Sequence, residues 1–144
     1  MTVQLSQTVV VAKPLDAVFG YLADFTTTTE WDPATVRTIR VDGDGGVGTT
    51  YQNTSTFMGR EAQLDYRVVH LDRDQRIQLH GENKTLVALD TMTFRRVDDR
   101  TEVTYTAEFT LKGLVKLATP LLRPAFRKLM DDGAAGLRSA LERL

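Results

Sequence analysis

The apolar pattern of this chain changes period once, at Gly113, and that change decides what it can fold into. Before it, apolar and polar residues alternate, most clearly where Val103, Tyr105, Ala107, Phe109 and Leu111 interleave with Thr104, Thr106, Glu108 and Thr110. Successive side chains of a strand point to opposite faces, so such a run is a strand with one dry face. Beyond it, Leu114, Leu117, Leu121, Ala125, Leu129, Gly133, Leu137, Ala140 and Leu144 fall three or four apart, the spacing of one helical stripe. A long terminal helix is therefore predicted. Pro120 and Pro124 each remove a backbone donor, so its start should be kinked or irregular and the regular helix should begin near Arg123.

Upstream, Val3, Leu5, Val9 and Val11 mark an opening strand that ends at Pro14. Pro14 can enter the first turn of a short helix carrying Leu15, Val18, Phe19 and Leu22. The stretch from Phe25 to Pro33, with four threonines and Glu30-Trp31-Asp32-Pro33, suits a second short helix or turn. Five further turns follow: Asp42 to Gly46, Gly59-Arg60, Asp72 to Gln75, Gly81 to Lys84 and Asp98 to Arg100. They divide the rest into six strands. These connections are too short for parallel crossovers, so the sheet must be antiparallel. The expected class is α+β: a seven-stranded curved antiparallel sheet wrapped around a long C-terminal helix, with two short helices after strand 1. Only the terminal helix is long enough to cover the dry face, and a sheet bent around it opens space at one end.

At 144 residues, residues 1–144 are read as one domain with a real core. There is no cysteine, which removes disulfides, thiolate metal sites and cysteine nucleophiles, and two separated histidines supply no metal shell. No metal and no cofactor are expected. A net charge of −1 gives no global field for nucleic acid, and the glycines of "DGDGGVG" lie in a hairpin turn rather than before a helix, so no phosphate loop is read there. No export signal and no membrane-spanning run is visible, which makes a cytoplasmic protein the expectation.

Four segments, in order along the whole chain, carry a family likeness: "TVVVAKPLDAVFGYLADF", "EWDP", "GGVGTTY" and "RTEVTYTAEF" before the long helix. Together they resemble the polyketide cyclase/dehydrase and lipid-transport branch of the helix-grip (START-like, SRPBCC) superfamily. The resemblance implies a cavity between sheet and helix that takes a hydrophobic or aromatic small molecule, polyketide-like or lipid-like. It also permits a cofactor-free cyclase or dehydratase and a lipid carrier, and such folds host unrelated sites.

Candidate residues follow from strand phase. A two-residue loop at Arg73-Asp74 would pair Gln75 with Asp72 and place Ile77 opposite His70, Leu79 opposite Val68 and Gly81 opposite Tyr66. Tyr66 and His70 would then share the concave face and are the candidate proton carriers. A lone histidine near a strand end is ordinarily structural or solvated, and a single bulge would reverse it. His80 should lie on the convex face beside Arg67. Expected cavity walls are Tyr51, Asn53 and Phe57 from one strand and Leu64, Tyr66 and Val68 from the next. Leu79, Met92, Phe94, Tyr105 and Phe109 continue the wall, and Leu121 and Leu129 close it from the helix. The strand carrying Tyr51 is polar on both faces, so an exposed edge strand is an equal alternative for it.

Asp90 falls in phase with Met92 and Phe94. Inward, it needs a partner such as Arg96 or Tyr105, or a raised pKa; a bulge turning it outward is the expected resolution. Trp31 can stack on a ligand or cap the core, and the cap is preferred; Glu30 and Asp32 point apart and help cap the turn. The segment from Leu111 to Met130 carries Lys112, Lys116, Arg123, Arg127 and Lys128 and no acid. It could touch an anionic membrane, but a core helix with a basic wet face is the preferred reading. A monomer and a homodimer are both compatible with the sequence. The mouth of the cavity is expected near Trp31, the hairpin turns and the Pro120 to Pro124 stretch.

Overall fold

The computed structural model describes residues 2–144. Strand β1 (Thr2–Val11) is followed by α1 (Leu15–Ala23), a 3-10 turn over Phe25–Thr27 and the short α2 (Thr28–Trp31). Six strands come next: β2 (Thr35–Asp42), β3 (Thr50–Phe57), β4 (Arg60–Asp72), β5 (Arg76–Glu82), β6 (Leu86–Val97) and β7 (Arg100–Leu111). A 3-10 segment over Gly113–Ala118 leads into α3 (Thr119–Glu142). The sheet is antiparallel with order β1-β7-β6-β5-β4-β3-β2, so the two strands flanking the short helices form its opposite edges. The seven-stranded α+β layout with a long terminal helix thus stands as expected. Among the described residues no helix is long and apolar enough to cross a membrane.

Hairpin geometry corrects the register near one turn. Asp72 pairs with Arg76 rather than with Gln75, so the loop has three residues, and Asp74 takes a left-handed conformation at φ 61°. A bulge between Val68 and His70 takes up the extra residue. Beyond the bulge Leu79 faces Val68 and Gly81 faces Tyr66, as expected; before it His70 pairs with Gln78 and Leu71 with Ile77. His70 is therefore turned out to solvent. Strand β5 also runs through Gly81 to Glu82 instead of breaking there.

The helix differs in its first half. It starts at Thr119, four residues before Arg123, because Pro120 sits in the first turn, where its missing N–H has no helical partner to lose. Leu121 is 83% exposed and Leu114 85% exposed, against the expectation of a continuous stripe. Four residues turn a helix by about 400°, so a column spaced by fours drifts by about 40° per step. Three such steps from buried Gly133 carry Leu121 about 120° round the helix and off the buried face, while Phe126 and Met130 take the inward face.

Candidate functional site

Between the sheet and the N-terminal half of α3 lies a cavity of about 250 Å³. Strand alternation supplies its floor: Asn53, Ser55 and Phe57 from β3, Leu64 and Tyr66 from β4, Leu86 and Asp90 from β6, Tyr105, Phe109 and Leu111 from β7. Leu122, Phe126, Leu129, Met130 and Gly133 of α3 form the roof, and Trp31 and Asp32 close the inner end. Phe126 is the keystone of the roof. Its ring stacks on Phe57 at 5.0 Å and on Phe109 at 4.4 Å, so one side chain bridges the helix to both sides of the sheet.

Two glycines position the inner end. A Cβ at Gly136 would lie 2.0 Å from the Trp31 carbonyl oxygen, so only glycine lets the end of α2 rest on α3. That contact aims Trp31 at the cavity, where its ring meets Tyr105 edge-on at 5.9 Å. Gly81 plays the same part on the sheet: the Tyr66 ring lies across it, 2.5 Å from where a Cβ would stand. Tyr66 also packs on Phe25, with ring centroids 4.8 Å apart.

Polar groups inside the cavity are few and of one charge type. Asn53 donates to Thr38 Oγ1 at 2.8 Å and accepts from Ser55 Oγ at 2.7 Å, and Thr38 is joined to Thr28. That network is internally satisfied. Asp32 accepts from the Ala34 N–H and from Thr35 Oγ1, capping the turn as expected while also facing the cavity. Burial, more than the nearby Asp132 charge, raises its pKa.

Asp90 corrects the sequence reading most. No bulge interrupts β6, which pairs in unbroken register with β5 and β7, so Asp90 stays in phase with Met92 and Phe94 and points inward, 8% exposed. Arg96 does not reach it, being an exposed residue six positions along the strand. Its Oδ1 has no hydrogen-bond partner in the protein. Burial first, and the charge of Asp32 second, push the carboxyl up to about 7, while a hydrogen bond from Tyr66 pulls the other way. The Tyr66 and Tyr105 hydroxyls are held well above their ordinary range, chiefly by burial and then by Asp90.

Of the residues expected to line a cavity, Trp31, Asn53, Phe57, Leu64, Tyr66, Tyr105, Phe109 and Leu129 do face it. Tyr51, Val68 and Phe94 instead pack into the core, where Phe94 meets Phe19 edge-on at 5.1 Å, and Leu79 and Met92 line only a separate space of about 10 Å³ shared with Trp31, Asp90 and Tyr105. Leu121 points to solvent, and His80 stands beside Arg67 on the outer face. Asp32, Asp90, Leu122, Phe126 and Met130 join the wall without having been expected there. Gly136 in mid-helix is the sequence signal for a close approach, since an unneeded helical glycine costs about 1 kcal/mol. The cavity reaches the rim at Asn83, Thr85 and Val115, between the β5–β6 turn and the 3-10 segment before α3.

A search of solved structures gives several whole-chain matches. The Zhui aromatase/cyclase from Streptomyces sp. R1128 superposes with a TM-score of 0.86 at 17% identity, covering 99% of this chain and 95% of that one. A START superfamily protein from Mycobacterium smegmatis gives 0.80 at 14% identity, covering 97% of each chain. The protein TTHA0849 from Thermus thermophilus gives 0.76 at 18% identity, over 99% of this chain and 95% of that one. At these identities the likeness is one of fold. No curated protein matches the sequence. The family model for polyketide cyclase / dehydrase and lipid transport matches residues 2–142.

Proposed function

The chain belongs to the polyketide cyclase / dehydrase and lipid transport family, and from that premise we propose that it binds a compact hydrophobic or aromatic small molecule in the cavity beneath α3. The observation that carries this reading is a void walled by Trp31, Tyr66, Tyr105, Phe109 and Phe126 with only a few convergent polar groups. Ligand sites have that make-up: apolar walls give affinity and isolated polar groups fix orientation. Size narrows the class. At about 250 Å³ the cavity lies just under the roughly 300 to 1,000 Å³ of drug-sized sites, so it suits one or two rings rather than an extended polyketide or a two-chain lipid.

Calorimetric titration with 2-naphthylmethanol, an uncharged two-ring probe, tests the reading. One-to-one saturable binding is expected, weakened at least about tenfold by Leu129→Trp, which fills the roof side of the void. Absence of saturable heat, or binding indifferent to the filled cavity in a variant with unchanged circular dichroism, removes it.

A further inference from the structure

The cavity's charges are lopsided. Among the described residues its lining contains two carboxyl groups, Asp32 and Asp90, and no lysine, arginine or histidine. Next to the rim, Lys112 is tied to Glu82 and to the Asn83 carbonyl. Asp32 has its own partners in the turn after α2. Asp90 is only half satisfied: it is 8% exposed, faces the cavity, takes a hydrogen bond from Tyr66, and presents an Oδ1 with no donor. A buried acceptor left open is costly unless something fills it.

The walls around that carboxyl are aromatic. The Tyr66 hydroxyl reaches it, Tyr105 lines the same cavity, and Trp31 stands against Tyr105. Such faces carry negative charge and attract cations. On either side along the sheet its neighbours are Leu79 and Ala107, neither of which can donate from a side chain. The α3 residues that roof the cavity bring no charge.

We infer that the preferred ligand of this cavity is a hydrophobic amine, its ammonium group held by Asp90 Oδ1 and its apolar body lying between the aromatic walls under Phe126. This deepens the binding reading and rests on it. The same lining disfavours carboxylates and phosphates, which would meet two acids and no cation. The titratable groups facing Asp90 are Asp32, Tyr66 and Tyr105, and Asp132 of α3 acts on Asp32. With the Asp90 carboxyl titrating at about 7, ammonium binding should tighten as pH rises from 6 to 8. Carboxylate binding should weaken over the same interval.

The experiment compares three probes of one shape by calorimetry at pH 6 and pH 8: 2-naphthylmethylamine, 2-naphthylmethanol and 2-naphthoate. At pH 8 the amine should bind roughly ten- to a hundredfold tighter than the alcohol, the range for a hydrogen bond to a charged group, and the naphthoate weakest. Asp90→Asn should abolish the preference, bringing the amine to within about threefold of the alcohol measured on the same variant. An amine no tighter than the alcohol, or a preference that survives Asp90→Asn, overturns the inference while the alcohol's binding still supports the broader reading. Failure of all three probes would sink both. The pH comparison on the unmutated protein stands even if Asp90→Asn does not fold.

Discussion

The two halves of α3 are built alike in sequence yet close off different interiors. In the C-terminal half, Leu137, Ala140 and Leu141 are buried in one cluster with Val9, Val11, Val18 and Leu22. The N-terminal half buries Phe126 and Met130 against Val3, Ala88 and Phe109, but spans an open space, and its outer face shows Leu121 to solvent. What separates them is the partner. One end of the sheet is covered by α1 as well as by α3; at the other end α3 and the small α2 must cover a strongly curved sheet alone. The C-terminal half is built for stability, and the N-terminal half tolerates unfilled volume and a carboxyl with one oxygen unpaired.

The largest expected effect lies in the open half. Asp90 holds its proton up to about pH 7 when folded but gives it up near 3.8 when unfolded. Between those values the folded protein binds more protons, so unfolding releases them and stability falls as pH rises. The stabilising protonated state is fully present below about pH 4 and is lost through pH 7, a decline on the order of 4 kcal/mol. Asp90→Asn should flatten most of that decline, making the variant more stable than the parent at pH 8 and nearly equal at pH 4. Urea titrations across pH check this; parallel curves for the two proteins would mean that Asp90 is paired or solvated after all.

Next in size is a matched pair of leucines. Leu137 is fully buried in the packed half, so Leu137→Ala should cost about 3 kcal/mol, in the range for a new core cavity. Leu129 lines space that is already empty, so Leu129→Ala adds to a void instead of creating one and should cost about 1 kcal/mol, the transfer of part of a side chain. Equal losses in urea midpoints would show that the two halves pack alike.

Sequence periodicity makes the fold legible because every strand has one dry face, and alternation records that directly. Its errors are local. The three-residue turn after Asp72 and the bulge before His70 each shift register by one residue, and together they cancel, so Leu79 still meets Val68 while His70 flips outward. Leu121 is misplaced by a spacing that looks helical over any two turns and drifts off the face over three. At the site, the aromatic wall is half legible: Tyr66, Tyr105 and Phe109 share strand phase, whereas Phe126 and Met130 are hidden by the misphased helix. Asp90 escapes for a different reason. Patterning rules send a carboxylate outward, and here the strand keeps it in. Breaks in consistency of that kind concentrate where a molecule needs chemistry more than stability.

A pair of glycines, one of them expected to change stability least of all, is the most direct probe of the boundary between the halves, because both lie on one helix within one turn. Gly133 and Gly136 both face inward, and helix propensity alone would gain up to about 1 kcal/mol from alanine at either place. Their surroundings differ. At Gly133 an added Cβ finds its nearest neighbour, Asp32 Oδ1, 4.0 Å away, so Gly133→Ala should be neutral or stabilise by several tenths of a kcal/mol. At Gly136 the Cβ would meet the Trp31 carbonyl oxygen at 2.0 Å, a backbone atom that can yield only if α2 lifts from α3. Gly136→Ala should therefore cost about 1 to 3 kcal/mol. Trp31 is the only tryptophan, so its emission should shift to the red as the inner wall of the cavity opens. A destabilised Gly136→Ala with unshifted emission would place the strain elsewhere along α3. Opposite signs at the two glycines would fix the boundary of the close-packed half at the turn of α3 that carries them.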